Sequence, residues 1–158
     1  VINLLTYYAT PPVFDGPEDR NGRRNHDETA FWADLIAGEL PYVPPKSPFV
    51  LLGQPNLDPV DGEGRQTAIR ALLSNPALQD PAPRGLVIRQ DAGQNGEVGL
   101  DTALYADIGG LRVEQVLPSA DLKISEAGVL WPPDSDALAQ ILVTASRHHP
   151  VWVDIVRP

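Results

Sequence analysis

The residues that could do chemistry lie in a few short polar segments. Residues 20–26 (RNGRRNH) form the densest basic cluster in the chain, and one of its arginines could bind a phosphate group through bidentate hydrogen bonds. His148 and His149 stand directly before an apolar run, where a histidine either acts on a bound group or satisfies backbone atoms. Asn56 follows the apolar residues 49–52, and such a strand-to-loop junction is a natural place for a site. Solvated loop charges remain the alternative interpretation of the basic cluster.

Acidic residues leave two further possibilities open. Asp58, Asp61 and Glu63 form an acidic loop, but their spacing does not match a twelve-residue calcium loop, so a solvated turn is the better interpretation. Glu114 lies on a predicted strand either as an inward metal ligand or as an outward solvated carboxylate. Strand alternation leaves both open, because the apolar neighbours of Glu114 fall on both faces.

Composition removes several classes of function. The chain has 158 residues, no cysteine and a net charge of -9. Thiolate nucleophiles, disulfides and cysteine-ligated metals are therefore excluded, and broad nucleic-acid binding and attraction to anionic membranes are disfavoured. No segment approaches the roughly 20 apolar residues that cross a bilayer. The length predicts one domain over residues 1–158.

Hydrophobic periodicity predicts a mixed α/β fold. The first residues, 1–6, predict a buried strand, and the turn-rich residues 11–25 predict a long loop. A helix is expected from His26 to about residue 37, capped by Asn25 and ended by Gly38. Further strands are expected at 49–52, 111–117, 128–131 and 151–156, and further helices at 66–74 and 136–144. Residues 80–100 are expected to form a loop in which only 86–88 are strand-like.

Four segments together resemble a bacterial branch of the endonuclease/exonuclease/phosphatase family. They are residues 10–28 (TPPVFDGPEDRNGRRNHDE), 52–62 (LGQPNLDPVDG), 111–119 (LRVEQVLPS) and 146–154 (SRHHPVWVD). The resemblance covers nearly the whole chain in the right order. It implies an α/β (α+β) fold, a two-sheet β-sandwich flanked by helices, of which this chain supplies roughly the second half. The first half of that fold, with an early asparagine and a metal-binding glutamate, is missing from this sequence.

The resemblance also implies a metal-dependent phosphoesterase site. In that family a divalent cation neutralises phosphate charge, an aspartate in a Gly-Asp-x-Asn turn activates water, and histidines stabilise the transition state. The turn here has Gln54 in place of the aspartate and keeps Asn56. A neutral amide cannot accept a proton from water, so the resemblance predicts impaired catalysis.

Three more positions depart from the family pattern. A Ser-His pair before the Pro-Pro loop is replaced by Tyr7-Tyr8, an Asp-Tyr pair by Glu114-Gln115, and an aspartate beside the last histidine motif by Arg147. This clustering suggests a scaffold changed, by design or selection, away from its parent chemistry. Errors in the sequence would be a third explanation.

By resemblance, the candidate residues take three roles. His148, Gln54 and Arg147 occupy catalytic positions; Arg24, Asn56 and Tyr8 are expected to bind phosphate; and Asn56 and Glu114 are expected to hold Mg²⁺ or Mn²⁺.

Two functional hypotheses follow. The first is hydrolysis of a small phosphate ester, impaired by the loss of the aspartate. The second is a noncatalytic or engineered scaffold that associates with itself or with a separate amino-terminal half, because half of a sandwich exposes an apolar face. The family resemblance favours a secreted or periplasmic location.

Overall fold

A computed structural model describes residues 1–86 and 89–156. The strands are β1 (Asn3–Tyr8), β2 (Phe49–Gln54), β3 (Ala103–Tyr105), β4 (Gly109–Leu111), β5 (Gln115–Pro118), β6 (Ile124–Val129) and β7 (Val151–Ile155). The helices are α1 (Arg20–Ala37), α2 (Thr67–Leu73) and α3 (Ala137–Ala145), with one 3₁₀ turn at Val98–Leu100. This arrangement confirms the predicted α/β class. None of the helices in the described ranges is long and apolar enough to cross a membrane.

The seven strands form one three-stranded sheet and two two-stranded sheets. β1 pairs with β2 in parallel and β2 pairs with β5 in antiparallel orientation, while β3–β4 and β6–β7 form two antiparallel pairs. The main core lies between the three-stranded sheet and helices α1 and α2. Its fully buried members include Leu51, Leu57, Ile69, Leu72 and Leu117. Burying such side chains is the main contribution to stability, about 1.5–3 kcal/mol each.

β1 is an edge strand, and the prediction that it is buried was wrong. Leu5 and Tyr7 pack on the main core, but Leu4 on the opposite face is 65% exposed. Because successive side chains of a strand point to opposite faces, only the face that α1 covers is protected. The other face has no covering element in the described part of the chain.

α1 begins six residues earlier than predicted, so the long loop ends before Arg20 instead of at Asn25. Side chains hold this first turn: Asp15 accepts from the Asn21 amide at 2.5 Å, and the Asn21 side chain donates to the Val13 carbonyl at 2.7 Å. Asn25, predicted as the helix cap, is fully buried within the helix. Its amide instead donates to the carbonyls of Thr10 and Pro55, both at 2.7 Å.

The strand predicted over 111–117 is interrupted between β4 and β5. Side chains take up the backbone amides there: Arg112 donates to Asp58 at 2.6 Å, and Val113 and Glu114 donate to the Thr102 hydroxyl at 2.9 and 3.1 Å. Amides satisfied in this way need no strand partner.

The remaining boundaries differ by a few residues. The strand expected at 128–131 is β6, which starts at Ile124, and β3 was not predicted. Residues 87 and 88 of the strand-like segment 86–88 lie outside the described residues.

Candidate functional site

The carboxyl ends of β1 and β2 open onto a pocket of about 640 Å³. These strands are parallel, so their ends lie at the same edge, and Tyr8 stands opposite Gln54 in the register. The pocket brings together five of the predicted site residues: Tyr8, Gln54, Asn56, Arg147 and His148. It also contains Tyr105, which the sequence analysis missed.

Gln54 and Asn56 form an amide chain along one wall. The Gln54 Nε2 donates to Asn56 Oδ1 at 2.8 Å, and the Asn56 Nδ2 donates to the Ala9 carbonyl at 2.8 Å. Asn56 has a left-handed backbone with φ of 52°, a conformation that asparagine tolerates better than most residues. Both halves of the Asn56 amide are therefore engaged within the protein, and neither residue carries charge.

His148 is paired with Glu114. The imidazole Nδ1 contacts Glu114 Oε1, while Glu114 Oε2 is buried without a hydrogen-bond partner. Burial raises the pKa of Glu114, and the neighbouring Thr102 hydroxyl and His148 oppose this rise. The carboxylate fixes the ring and leaves Nε2 as the histidine nitrogen available to a bound group.

Strand β3 contacts the backbone of the segment that carries His148. The backbone of His148 bridges Ala103, and Leu104 donates its amide to the Arg147 carbonyl at 3.0 Å. The Tyr105 ring meets the His148 ring edge-on, with centroids 6.0 Å apart. The only sequence signal for this element was the three-residue run 103–105, which is too short to separate from loop.

Arg147 lies over the face of Tyr105, with its guanidinium carbon 5.5 Å from the ring centroid. Burial raises the pKa of Tyr105; Glu114 and Tyr8 add to this effect, and Arg147 opposes it. Tyr105 therefore stays a neutral hydrogen-bonding group at neutral pH. The site combines this hydroxyl with one guanidinium and one imidazole.

Arg24, predicted to bind phosphate, does not line this pocket. Its guanidinium pairs with Glu28 one helical turn later at 2.7 Å, and Glu28 also accepts the Thr10 amide at 2.6 Å. Arg24 thus belongs to the surface of α1.

The residues present do not fit a divalent cation. The Asn56 amide is already bonded on both sides, and one oxygen of Glu114 is held by His148. No group of three or more histidines and carboxylates in residues 1–86 and 89–156 is arranged to hold a metal. The arrangement therefore does not support the predicted Mg²⁺ or Mn²⁺ site at Asn56 and Glu114.

Comparison with solved structures identifies the fold. The chain matches a 3′ phosphatase, NExo, from Neisseria bound to a product DNA hairpin, with 18% identity and a TM-score of 0.59 over 98% of this chain and 61% of that chain. It also matches the 3′-5′ exonuclease NExo from Neisseria meningitidis, with 18% identity and a TM-score of 0.58 over 96% of this chain and 60% of that chain. The chain therefore has the endonuclease/exonuclease/phosphatase fold, as its resemblance predicted.

This chain spans about three fifths of the length of those solved chains. No protein-family model matches the sequence, and no curated protein matches it.

Proposed function

We propose that this chain is a phosphate-ester-binding domain in which hydrolysis is impaired. One observation carries the proposal: Gln54, a neutral amide bonded to Asn56, stands at the strand end beside His148 where water activation needs a base. An amide does not take up a proton at neutral pH, and a positioned general base contributes about 10²–10⁴-fold to rate.

The binding half of the proposal is supported by the other side chains of the pocket. One cavity is lined by four side chains that can donate hydrogen bonds: Arg147, His148, Tyr8 and Tyr105. The fold is shared with a phosphatase and an exonuclease. We infer the ligand class for this chain from the donors together with the fold.

A turnover assay tests this function. Hydrolysis of p-nitrophenyl phosphate would be measured in EDTA, in MgCl₂ and in MnCl₂ for wild type and for His148→Ala. We expect slow turnover in the wild type that His148→Ala reduces to the uncatalysed rate, because imidazole stabilises the charge that develops on the phosphate. The matched control is His26→Ala, since His26 lies on α1 beside Asp27 and does not line the pocket. Turnover that is equal in both histidine variants would contradict the proposed site.

Noncatalytic association is a second candidate function, favoured by the exposure of α3. Its sequence, ALAQILVTA, is almost entirely apolar, yet none of its residues is buried. Ile141 is 63% and Val143 69% exposed. Exposed apolar patches of this kind mark interaction surfaces, and we propose that this one mediates association with another copy or with an amino-terminal half.

A further inference from the structure

Arg147 is a cation without an acidic partner in the described ranges 1–86 and 89–156. Five other arginines of those ranges do form ion pairs: Arg24, Arg65, Arg84, Arg89 and Arg112. Arg147 instead rests over the Tyr105 ring. A cation–π contact orients a guanidinium and leaves its charge uncompensated. Its N–H groups therefore remain available to an anion.

The groups around Arg147 are donors suited to phosphate oxygens. His148 uses Nδ1 for Glu114 and has Nε2 left, and the hydroxyls of Tyr8 and Tyr105 belong to the same pocket. Tyr8 is 63% exposed, so a ligand can reach it. A phosphate dianion accepts several hydrogen bonds at once, and those from charged donors are the strongest.

The same pocket lacks what a divalent cation needs. Its neutral amides are bonded to each other and to the Ala9 carbonyl. Three of the four carboxylates that line it accept backbone amides. Asp58 accepts those of Val60, Asp61 and Arg112, Asp61 accepts those of Asn95 and Gly96, and Asp15 accepts that of Asn21. Positive charge here comes from the protein's own guanidinium.

We propose that this pocket binds a phosphate monoester without a divalent cation, the Arg147 guanidinium supplying the neutralising charge that a metal ion supplies in metal-dependent phosphoesterases. The inference rests on the proposed function and narrows its ligand. Asp15, Asp58, Asp61 and Glu63 line the same pocket and repel any anion in it. We therefore expect the phosphate to bind at Arg147 and His148, and a second phosphate would add to the repulsion. Pro12, Phe14 and Ile108, also in the lining, suit an uncharged apolar group on the ester.

Calorimetric titration with phenylphosphonate tests the proposal, because this compound carries one doubly charged head group and an apolar ring. Wild type is expected to bind it in EDTA, with a Kd that changes less than twofold in MgCl₂. Arg147→Gln is expected to weaken binding at least tenfold. Arg147→Lys is expected to weaken it less than tenfold, because lysine keeps the charge but cannot make the bidentate hydrogen bonds of a guanidinium. Arg23→Gln on α1 changes the net charge equally and is expected to leave binding unchanged.

The outcomes separate the inference from the function on which it rests. Binding that appears only with Mg²⁺ would overturn the inference and leave the proposed function standing. Wild-type affinity in the Arg147→Gln variant would have the same two consequences. Absence of binding in both buffers would overturn both. Methyl phenylphosphonate, which has one charge instead of two, is expected to bind at least tenfold more weakly, and equal affinity would contradict the monoester assignment. Thermal unfolding monitored by circular dichroism verifies that each variant is folded.

Discussion

Asp101 is a nearly buried carboxyl group, 7% exposed, that shares its surroundings with three other acids. Burial raises its pKa from 3.8 to about 6, and repulsion from Asp58, Asp61 and Asp91 adds to the effect, while a hydrogen bond from Gln94 opposes it. The Gln94 Nε2 donates to Asp101 Oδ2 at 2.7 Å and to the Gly110 carbonyl at 3.3 Å. Through Gln94, Asp101 thus links the loop before the 3₁₀ turn to β4. Its charged form is destabilised there by burial and by the neighbouring acids.

Replacing Asp101 with asparagine is expected to stabilise the protein at neutral pH. The folded-state pKa lies above the unfolded value, so the folded protein holds a proton between about pH 4 and 6 that the unfolded chain releases. The free energy of unfolding therefore falls as pH rises through that window. Asp101→Asn should raise it by about 1–3 kcal/mol at pH 7 and by much less at pH 4.

Urea unfolding at both pH values measures this difference, with exposed Asp107→Asn as the matched control. An equal effect of Asp101→Asn at pH 4 and pH 7 would show that its carboxyl group does not titrate as described.

The placement of several candidate site residues could be predicted from the sequence because they sit at strand ends in recognisable motifs, and their functional roles stay predictions. The structure brings five of them into one pocket: Tyr8, Gln54, Asn56, Arg147 and His148. Glu114 was left undecided by strand alternation, since its partner His148 lies 34 positions away. Arg24 was misplaced although Glu28, four residues on, offered a helical ion pair.

At the scale of elements, the errors arose where side chains replaced regular backbone signals. Asn25 resembles a helix cap in sequence, but its amide is needed to join the loops after β1 and β2. The break between β4 and β5 depends on Thr102 and Asp58, neither of which is near it in sequence. Local propensity does not contain such contacts. By contrast, β2 and α2, with strong apolar periodicity, lie where predicted.

α3 provides a prediction about association. If its exposed face is an interaction surface, Ile141→Glu should reduce the mass measured by light scattering after size exclusion, because a charge at a contact costs desolvation energy. Gln140→Glu adds the same charge to the neighbouring exposed position and is expected to have little effect. A wild-type protein that remains monomeric at the highest soluble concentration would exclude self-association through α3.

For the whole molecule, the net charge bears on the ligand that we propose. A net charge of -9 repels polyanions such as nucleic acids, and a small phosphate ester is less affected because it carries fewer negative charges. The fold resemblance was detectable because its motifs recur in order along the chain. The poor fit of this pocket's described residues to a divalent cation required coordinates, since it depends on which donors are already bonded.

The rate of p-nitrophenyl phosphate hydrolysis by Gln54→Asp, measured beside wild type and Gln54→Asn, is the most direct test of whether this pocket lacks only a base. A carboxylate at the end of β2 should raise the rate at least tenfold over wild type, and the equally short but neutral asparagine should not. A wild-type rate already equal to that of Gln54→Asp, or the same gain with asparagine, would contradict the conclusion that neutral Gln54 limits catalysis.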